Sequence, residues 1–309
     1  MLRRWRALAL LLWAGCASPS PGSTVPAPVA VLDDHGLRVE LAAPAQRIAS
    51  LSPSNTEILH ALGCGGRIVL RDRLSDYPPE VRARPATDPF QLSPEHVAGY
   101  RPDLVLVSHG DPGRLAALRR TGLVAASFDP RSFAQLAANV RAIGSLCGAR
   151  GRAEAMVRTL EARLSRVDER VRGLSRIRVF VELDGSDRTR PWTAGPGSFV
   201  DELLRRAGAE NVAAGLGKPY GTMSAEAVFA ARPEVILVAS TAALQSRALA
   251  ALRAAPGWRA LDAVRTGRVV TAISPDLLTR PGPRLLEGLE ALLTALHPGA
   301  GRRAERSPR

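Results

Sequence analysis

Several short runs carry side chains suited to ligand chemistry. Ser52-Pro53-Ser54-Asn55 follows the apolar run Ile48–Leu51 and precedes a helix-like stretch. Small hydroxyls and the free N–H groups of a helix start would meet there, at the edge of a cleft, where they can hold a polar group. Equally, Ser52 can serve as an ordinary helix cap. Trp192, within Arg190-Pro191-Trp192-Thr193-Ala194-Gly195, can stack on a flat ligand or pack into a core. His109 follows a strand-like run beside Gly110 and Asp111, where it can face a cleft as a metal ligand or sit in a plain loop. His60 stands on a helix-like segment, and His35, His96 and His297 share no spacing, so no zinc or manganese cluster is expected. Gly215-x-Gly217-Lys218-Pro219 fails the phosphate-loop spacing and has Pro where Ser or Thr is required. No G-x-S-x-G elbow, H-E-x-x-H helix or kinase signature occurs. No nucleophile–base pair is legible, which favours binding over catalysis.

The chain has 309 residues, 46% hydrophobic, 23% charged and 4% aromatic, enough for two domains with real cores. No 18-residue apolar run supports a multi-pass membrane protein. A net charge of +13 invites a nucleic-acid reading. That reading weakens because, of 42 Lys+Arg, only Lys218 is lysine, and the arginines are spread along the whole chain. A uniform bias of this kind reflects composition more than a binding patch, so no nucleic-acid partner is expected.

Arg3, Arg4 and Arg6 precede a short apolar run from Ala7 to Gly15, the layout of an export signal. It ends in Trp13-Ala14-Gly15-Cys16, similar to the end of a bacterial lipobox, which would make Cys16 the lipidated first residue of the mature protein. Cleavage after Ala17 is the alternative. In an exported chain Cys64 and Cys147 can pair, or remain two buried thiols.

The elements that must position these residues are laid out by an internal repeat. Ser93-x-Glu95-x-Val97, with Arg101-Pro102-Asp103-Leu104-Val105-Leu106-Val107, recurs as Ser224-x-Glu226-x-Val228, with Arg232-Pro233-Glu234-Val235-Ile236-Leu237-Val238. Each copy reads as a Ser cap, an acid in the first helical turn, a short helix, a Pro stop and a buried strand. Further segments align in the same order, which predicts two homologous α/β lobes. Strands are expected near 48–51, 68–70, 104–107 and 124–128 in the first lobe and near 178–182, 211–212, 235–238 and 269–273 in the second. A hairpin is expected over 29–41. Between the lobes, apolar Met156, Leu160, Leu164, Val167 and Val171 recur at helical spacing, predicting a helix over about 152–172 that joins the lobes as a stiff backbone. A cleft between the two lobes is the natural ligand site.

Several segments now resemble one family: Val31-Leu32-Asp33-Asp34-x-Gly36, then Arg47-Ile48-Ala49-Ser50-Leu51-Ser52-Pro53-Ser54-Asn55-Thr56-Glu57. They are similar to the helical-backbone (class III) solute-binding proteins of ABC importers for cobalamin, ferric siderophores and heme. Asp76-Tyr77-Pro78-Pro79-Glu80, and Asp276 with Arg280 and Pro283-Arg284, resemble the cobalamin-binding members in particular. The resemblance implies two Rossmann-like lobes joined by a long helix and a cobalamin or related corrinoid as the transported ligand, with no cofactor or resident metal. It places Tyr77, Phe90 and Tyr220 at a cleft lined by aromatics, with Asp276 and Arg280 as a polar pair at its mouth. Leu74 and Ser108 stand where that subgroup has Tyr and Trp, which leaves heme or a ferric siderophore as alternatives. A heme ligand would need an axial His or Tyr, making His109 and Tyr220 its candidates.

The resemblance also implies that Glu95 and Glu226, one per lobe, dock onto a permease dimer served by ATPase subunits. The organisation expected is a signal over 1–16, a flexible tether over 17–28, an N-terminal lobe over 29–131, connecting helices over 132–174, a C-terminal lobe over 175–298 and a basic disordered tail over 299–309. The protein is expected to be a periplasmic monomer that touches the membrane only through its lipid anchor.

Overall fold

The structure, a computed structural model, describes residues 27–108 and 112–299. Cys16, the signal, most of the tether, His109 and nearly all of the basic tail lie outside the described residues.

Val29–Leu32 (β1) and Arg38–Leu41 (β2) pair antiparallel as a hairpin. Asp33 shapes its turn, accepting the N–H groups of His35 and Leu37 at 3.0 and 2.9 Å. Five parallel strands follow: β3 (Ile48–Leu51), β4 (Ile68–Asp72), β5 (Ala86–Thr87), β6 (Leu104–Val107) and β7 (Ala125–Ser127), in the order β5-β4-β3-β6-β7. The central pair, β3 and β6, is buried along its whole length, which is why these strands read as unbroken apolar runs. Helices α1 (Pro53–Ala61), α2 (Pro94–Gly99) and α3 (Pro112–Arg120) connect them.

Two helices lead to the second lobe, α4 (Phe133–Leu146) and α5 (Arg150–Val171). With 22 residues, α5 is about 33 Å long. Its buried stripe is Ala153, Val157, Leu160, Leu164 and Val167, with Met156 and Val171 half-buried beside it. Beyond it, β8 (Ile177–Glu182), β10 (Ala209–Asn211), β12 (Val235–Val238) and β13 (Val269–Val270) form a second parallel sheet in the order β10-β8-β12-β13. Two short strands, β9 (Trp192–Ala194) and β11 (Tyr220–Thr222), form a separate antiparallel ribbon. The helices of this half are α6 (Phe199–Arg206), α7 (Ala225–Ala231), α8 (Ala242–Ala254), α9 (Asp262–Arg265), α10 (Asp276–Thr279) and α11 (Leu285–Leu296).

The duplication is visible atom by atom. Ser93 and Ser224 cap α2 and α7, accepting the N–H groups of His96 and Ala227. Arg101 and Arg232 both take left-handed backbone, at φ 49 and 48°. Each carbonyl there accepts a guanidinium from the start of the first strand of its own sheet, Arg47 Nε just before β3 at 2.9 Å and Arg178 Nε in β8 at 3.2 Å. Asp103 and Glu234 accept the backbone N–H groups of Arg47 and Arg178. An arginine held before a proline in an unfavourable backbone region is thus stabilised the same way twice.

The sequence missed β5, β9 and β11, because strands of two or three residues carry no periodicity. It also overextended the last strand to 273, where pairing ends at Val270. One continuous apolar core runs from β3 through α4 and α5 to α11. Phe133 of α4 meets Phe199 of α6 edge-to-face across the lobes, with ring centres 5.1 Å apart.

Cys64 and Cys147 are joined by a disulfide that ties the segment after α1 to the end of α4. The link closes a loop with a sequence separation of 83. Replacing both cysteines with Ala should lower the unfolding free energy by about 2–4 kcal/mol in urea. A loss under about 1 kcal/mol would mean that packing alone holds this corner.

Candidate ligand-binding cleft

A cleft of about 1000 Å³ opens between the lobes. It lies at the C-terminal ends of the parallel strands, where strand–helix turns leave room for a ligand. From the first lobe come Leu51, Ser52, Pro53 and Ser54, at the β3–α1 turn, and Asp129, Pro130 and Arg131, after β7. Leu74, Phe90, Ser108 and Arg114 line it as well. From the second lobe come Gly197, Ser198 and Phe199 at the start of α6, then Lys218, Pro219 and Tyr220 at the ribbon, and Thr279, Arg280 and Pro281 after α10.

Six of the residues singled out in the sequence therefore face this space: Ser52, Pro53, Ser54, Phe90, Tyr220 and Arg280. Ser52 occupies the cap position of α1 in extended backbone, yet its hydroxyl makes no capping bond. It is buried and has no hydrogen-bond partner among the described residues. Phe90 and Tyr220 are 75% and 38% exposed, so both rings have free surface to offer a ligand. Burial, then the nearby Asp129 carboxylate, pushes the Tyr220 phenol pKa up. Burial also raises the pKa of Asp72 at the cleft wall, although Ser75 and the N–H groups of Leu74 and Ser75 bond to its carboxyl.

Four of the expected site residues stand outside the cleft lining: Asn55, Trp192, Tyr77 and Asp276. Asn55 turns inward, its Nδ2 donating to the carbonyls of Val107 and Phe128 at 3.1 and 3.3 Å, so it ties α1 to the sheet instead of meeting a ligand. Trp192 is outside the cleft lining; in the ribbon it opposes Thr222 whereas Tyr220 opposes Ala194, which sets the two rings at opposite ends. Tyr77 is taken up by Arg284, whose guanidinium lies 3.6 Å from the ring centre. Asp276 also stands behind the lining: it holds Arg280 Nε at 3.0 Å, and Arg280 reaches Asp76 of the opposite lobe at 2.7 Å. The pair at the mouth is thus one strand of an interlobe bolt. A second strand joins Glu57 of α1 to Arg284 through two bonds of 2.9 and 2.5 Å.

Arg114, Asp129, Arg131 and Lys218 are cleft residues that sequence reasoning did not select. They stand singly in loops or a first helical turn, and only their position after strand ends hinted at the site.

Glu95 and Glu226 are exposed in the first turns of α2 and α7, far in sequence but equivalent in the duplication. A backbone hydrogen bond, then the Ser93 hydroxyl, lowers the Glu95 pKa.

The bolt carries a pH signature. Burial alone would raise the Asp76 carboxyl, but the hydrogen bond and charge of Arg280, with Arg82 nearby, leave it below its ordinary value. A lowered acid pKa contributes stability above the unfolded value of about 4 and loses it as pH falls through the folded value. Asp76→Asn should therefore flatten the acid limb of a stability-versus-pH curve below about pH 4. An unchanged limb would mean that Asp76 adds nothing.

Comparison with known proteins agrees with this architecture. A family model described as periplasmic binding protein matches residues 48–275. The uncharacterized ABC transporter substrate-binding lipoprotein YvrC of Bacillus subtilis is 30% identical over 95% of this chain and 96% of its own length. The vitamin B12-binding protein of Vibrio cholerae is 29% identical over 82% of this chain and 90% of its own. Among solved structures, the vitamin B12 binding protein BtuF of Vibrio cholerae superposes with a TM-score of 0.72 at 28% identity, covering 85% of this chain and 99% of that one. The apo heme-binding protein RhuT of Roseiflexus sp. RS-1 gives 0.73 at 30% identity, covering 83% and 99%. Two parallel-sheet lobes on a helical backbone, matched across most of their length, mean that the chain belongs to the periplasmic binding protein family, the substrate-binding components of ABC importers.

Proposed function

We propose that this protein captures a corrinoid, cobalamin or a close relative, outside the inner membrane and hands it to an ABC permease. The observation that carries the reading is the interlobe cleft. Its volume of about 1000 Å³ stands at the upper end of the range usual for small-molecule sites, as a large ring chelate requires. Phe90 and Tyr220 supply flat surface, while Ser52 and Ser54 supply hydroxyls for a ligand's amide rim. Leu74 and Ser108 give a wall that is less aromatic than the subgroup pattern, so shape and polar contact carry more of the recognition. The relatives named for vitamin B12 support this choice.

Heme is the second reading, favoured by the likeness to RhuT and by a tyrosine facing the cleft. A ferric siderophore is the third candidate. Calorimetric titration of the soluble body with cyanocobalamin, cobinamide, hemin and ferric siderophores decides among them. A corrinoid is expected to bind at micromolar concentration or better; failure of every corrinoid would end the first reading.

Delivery is assigned to Glu95 and Glu226. Two equivalent acids, one on each lobe, suit a permease dimer in which each subunit meets one lobe. Reversing both charges should abolish uptake and leave ligand affinity intact. Lost affinity would place the acids in binding instead. The role is capture and delivery by a monomer, and the proposed anchor is a lipid on Cys16. Cys16→Ser should then move the protein from the membrane fraction to the soluble one, and a wild-type protein already soluble would refute the anchor.

A further inference from the structure

We propose that the cleft selects its ligand by an anionic substituent, a phosphate or a carboxylate, gripped by Arg114 and Arg131 of the first lobe and Lys218 of the second. This inference rests on the reading of the cleft as the ligand site. Most cations near the lobe junction are already satisfied: Arg280 holds Asp76 and Asp276, and Arg284 holds Glu57. Arg114, Arg131 and Lys218 differ. All three line the cleft, and no carboxylate among the described residues forms an ion pair with any of them. They face one unpaired acid, Asp129, and the buried Asp72, whose charge the Ser75 hydroxyl and neighbouring N–H groups already solvate.

One local dipole points the same way. The nine-residue α1 begins at the cleft with no acid in its first turn, whereas α6 carries Asp201 and Glu202 in its own. The buried Ser52 hydroxyl, unpartnered at the start of α1, is a ready donor. In a partly enclosed site such donors act more strongly than in bulk water. An anion that reaches both Arg131 and Lys218 would also cancel their repulsion across the cleft, coupling ligand charge to the approach of the lobes.

Two matched ligand pairs test this and separate the sources of charge. Cyanocobalamin carries a phosphodiester that dicyanocobinamide lacks; hemin carries two carboxylates that its dimethyl ester masks. In whichever pair binds, the acidic member should bind about tenfold or more tighter, one or two charge-assisted bonds' worth. The preference should shrink as salt rises and disappear in the combined R114Q, R131Q and K218Q variant. K218Q alone, with a thermal melt to verify folding, should reduce it if the combined variant does not fold. A preference in the first pair identifies phosphate, and one in the second identifies carboxylate. Equal affinity within a binding pair, or a preference that survives the substitutions, overturns this inference and leaves ligand capture standing. Failure of all four compounds to bind refutes the corrinoid and heme readings and the inference with them.

Discussion

The relation of the two lobes depends on a buried ion pair. Glu57 is nearly inaccessible, in the middle of the first helix of one lobe, and its carboxylate is matched by two bonds from Arg284 of the other. A buried charge without its partner is costly, about 3–5 kcal/mol when one member is removed, so the lobes are held where the pair can form. Tyr77 covers the guanidinium from one side. Gly282 brings backbone so close that a Cβ there would lie 3.4 Å from a Glu57 carboxylate oxygen. With Arg280 and Asp76 alongside, the pair sets the floor against which the cleft is defined. Such a pair supplies geometry more than net stability, because desolvation consumes much of its Coulombic gain.

Around that floor, the duplicated architecture determines what faces the ligand. Parallel strands deliver their C-terminal ends, and hence the starts of the next helices, to one edge of each sheet. Two sheets joined through α4 and α5 turn those edges toward each other. The same duplication sets Glu95 and Glu226 on the outer surface of equivalent helices. Both acids sit in the first turns of those helices, at the sheet edge that also bounds the cleft, but neither lines it. The disulfide and the core shared by α4, α5 and α11 give the frame little freedom to bend, consistent with modest closure on capture.

Much of the fold was legible because its signals are local. The unbroken apolar runs at Ile48–Leu51, Leu104–Val107 and Val235–Val238 mark strands covered on both faces. The stripe along α5 repeats at helical spacing. The Ser caps and acids of α2 and α7 lie within one helical turn of each other. The site was legible only in part. Ser52, Ser54, Phe90, Tyr220 and Arg280 reach the cleft, but Asn55 has the same type and neighbourhood as Ser54 and turns the other way to satisfy two sheet carbonyls. Nothing in its local sequence distinguishes those outcomes, since they depend on carbonyls 52 and 73 residues away.

By itself the sequence determined what neighbours along the chain can decide: two like lobes, a helix to join them, and an acid at the same turn of each. Tertiary structure alone decided which polar groups are spent on holding the lobes and which remain for a ligand. Asp276 beside Arg280 was legible along the chain, but the carboxylates that commit Arg280 and Arg284 to the lobe junction arrive from 204 and 227 residues away. Arg114, Arg131 and Lys218 meet no such partner among the described residues and face the cleft. Charge pairing is a matter of distance in space, and a pattern read along the chain carries no measure of it.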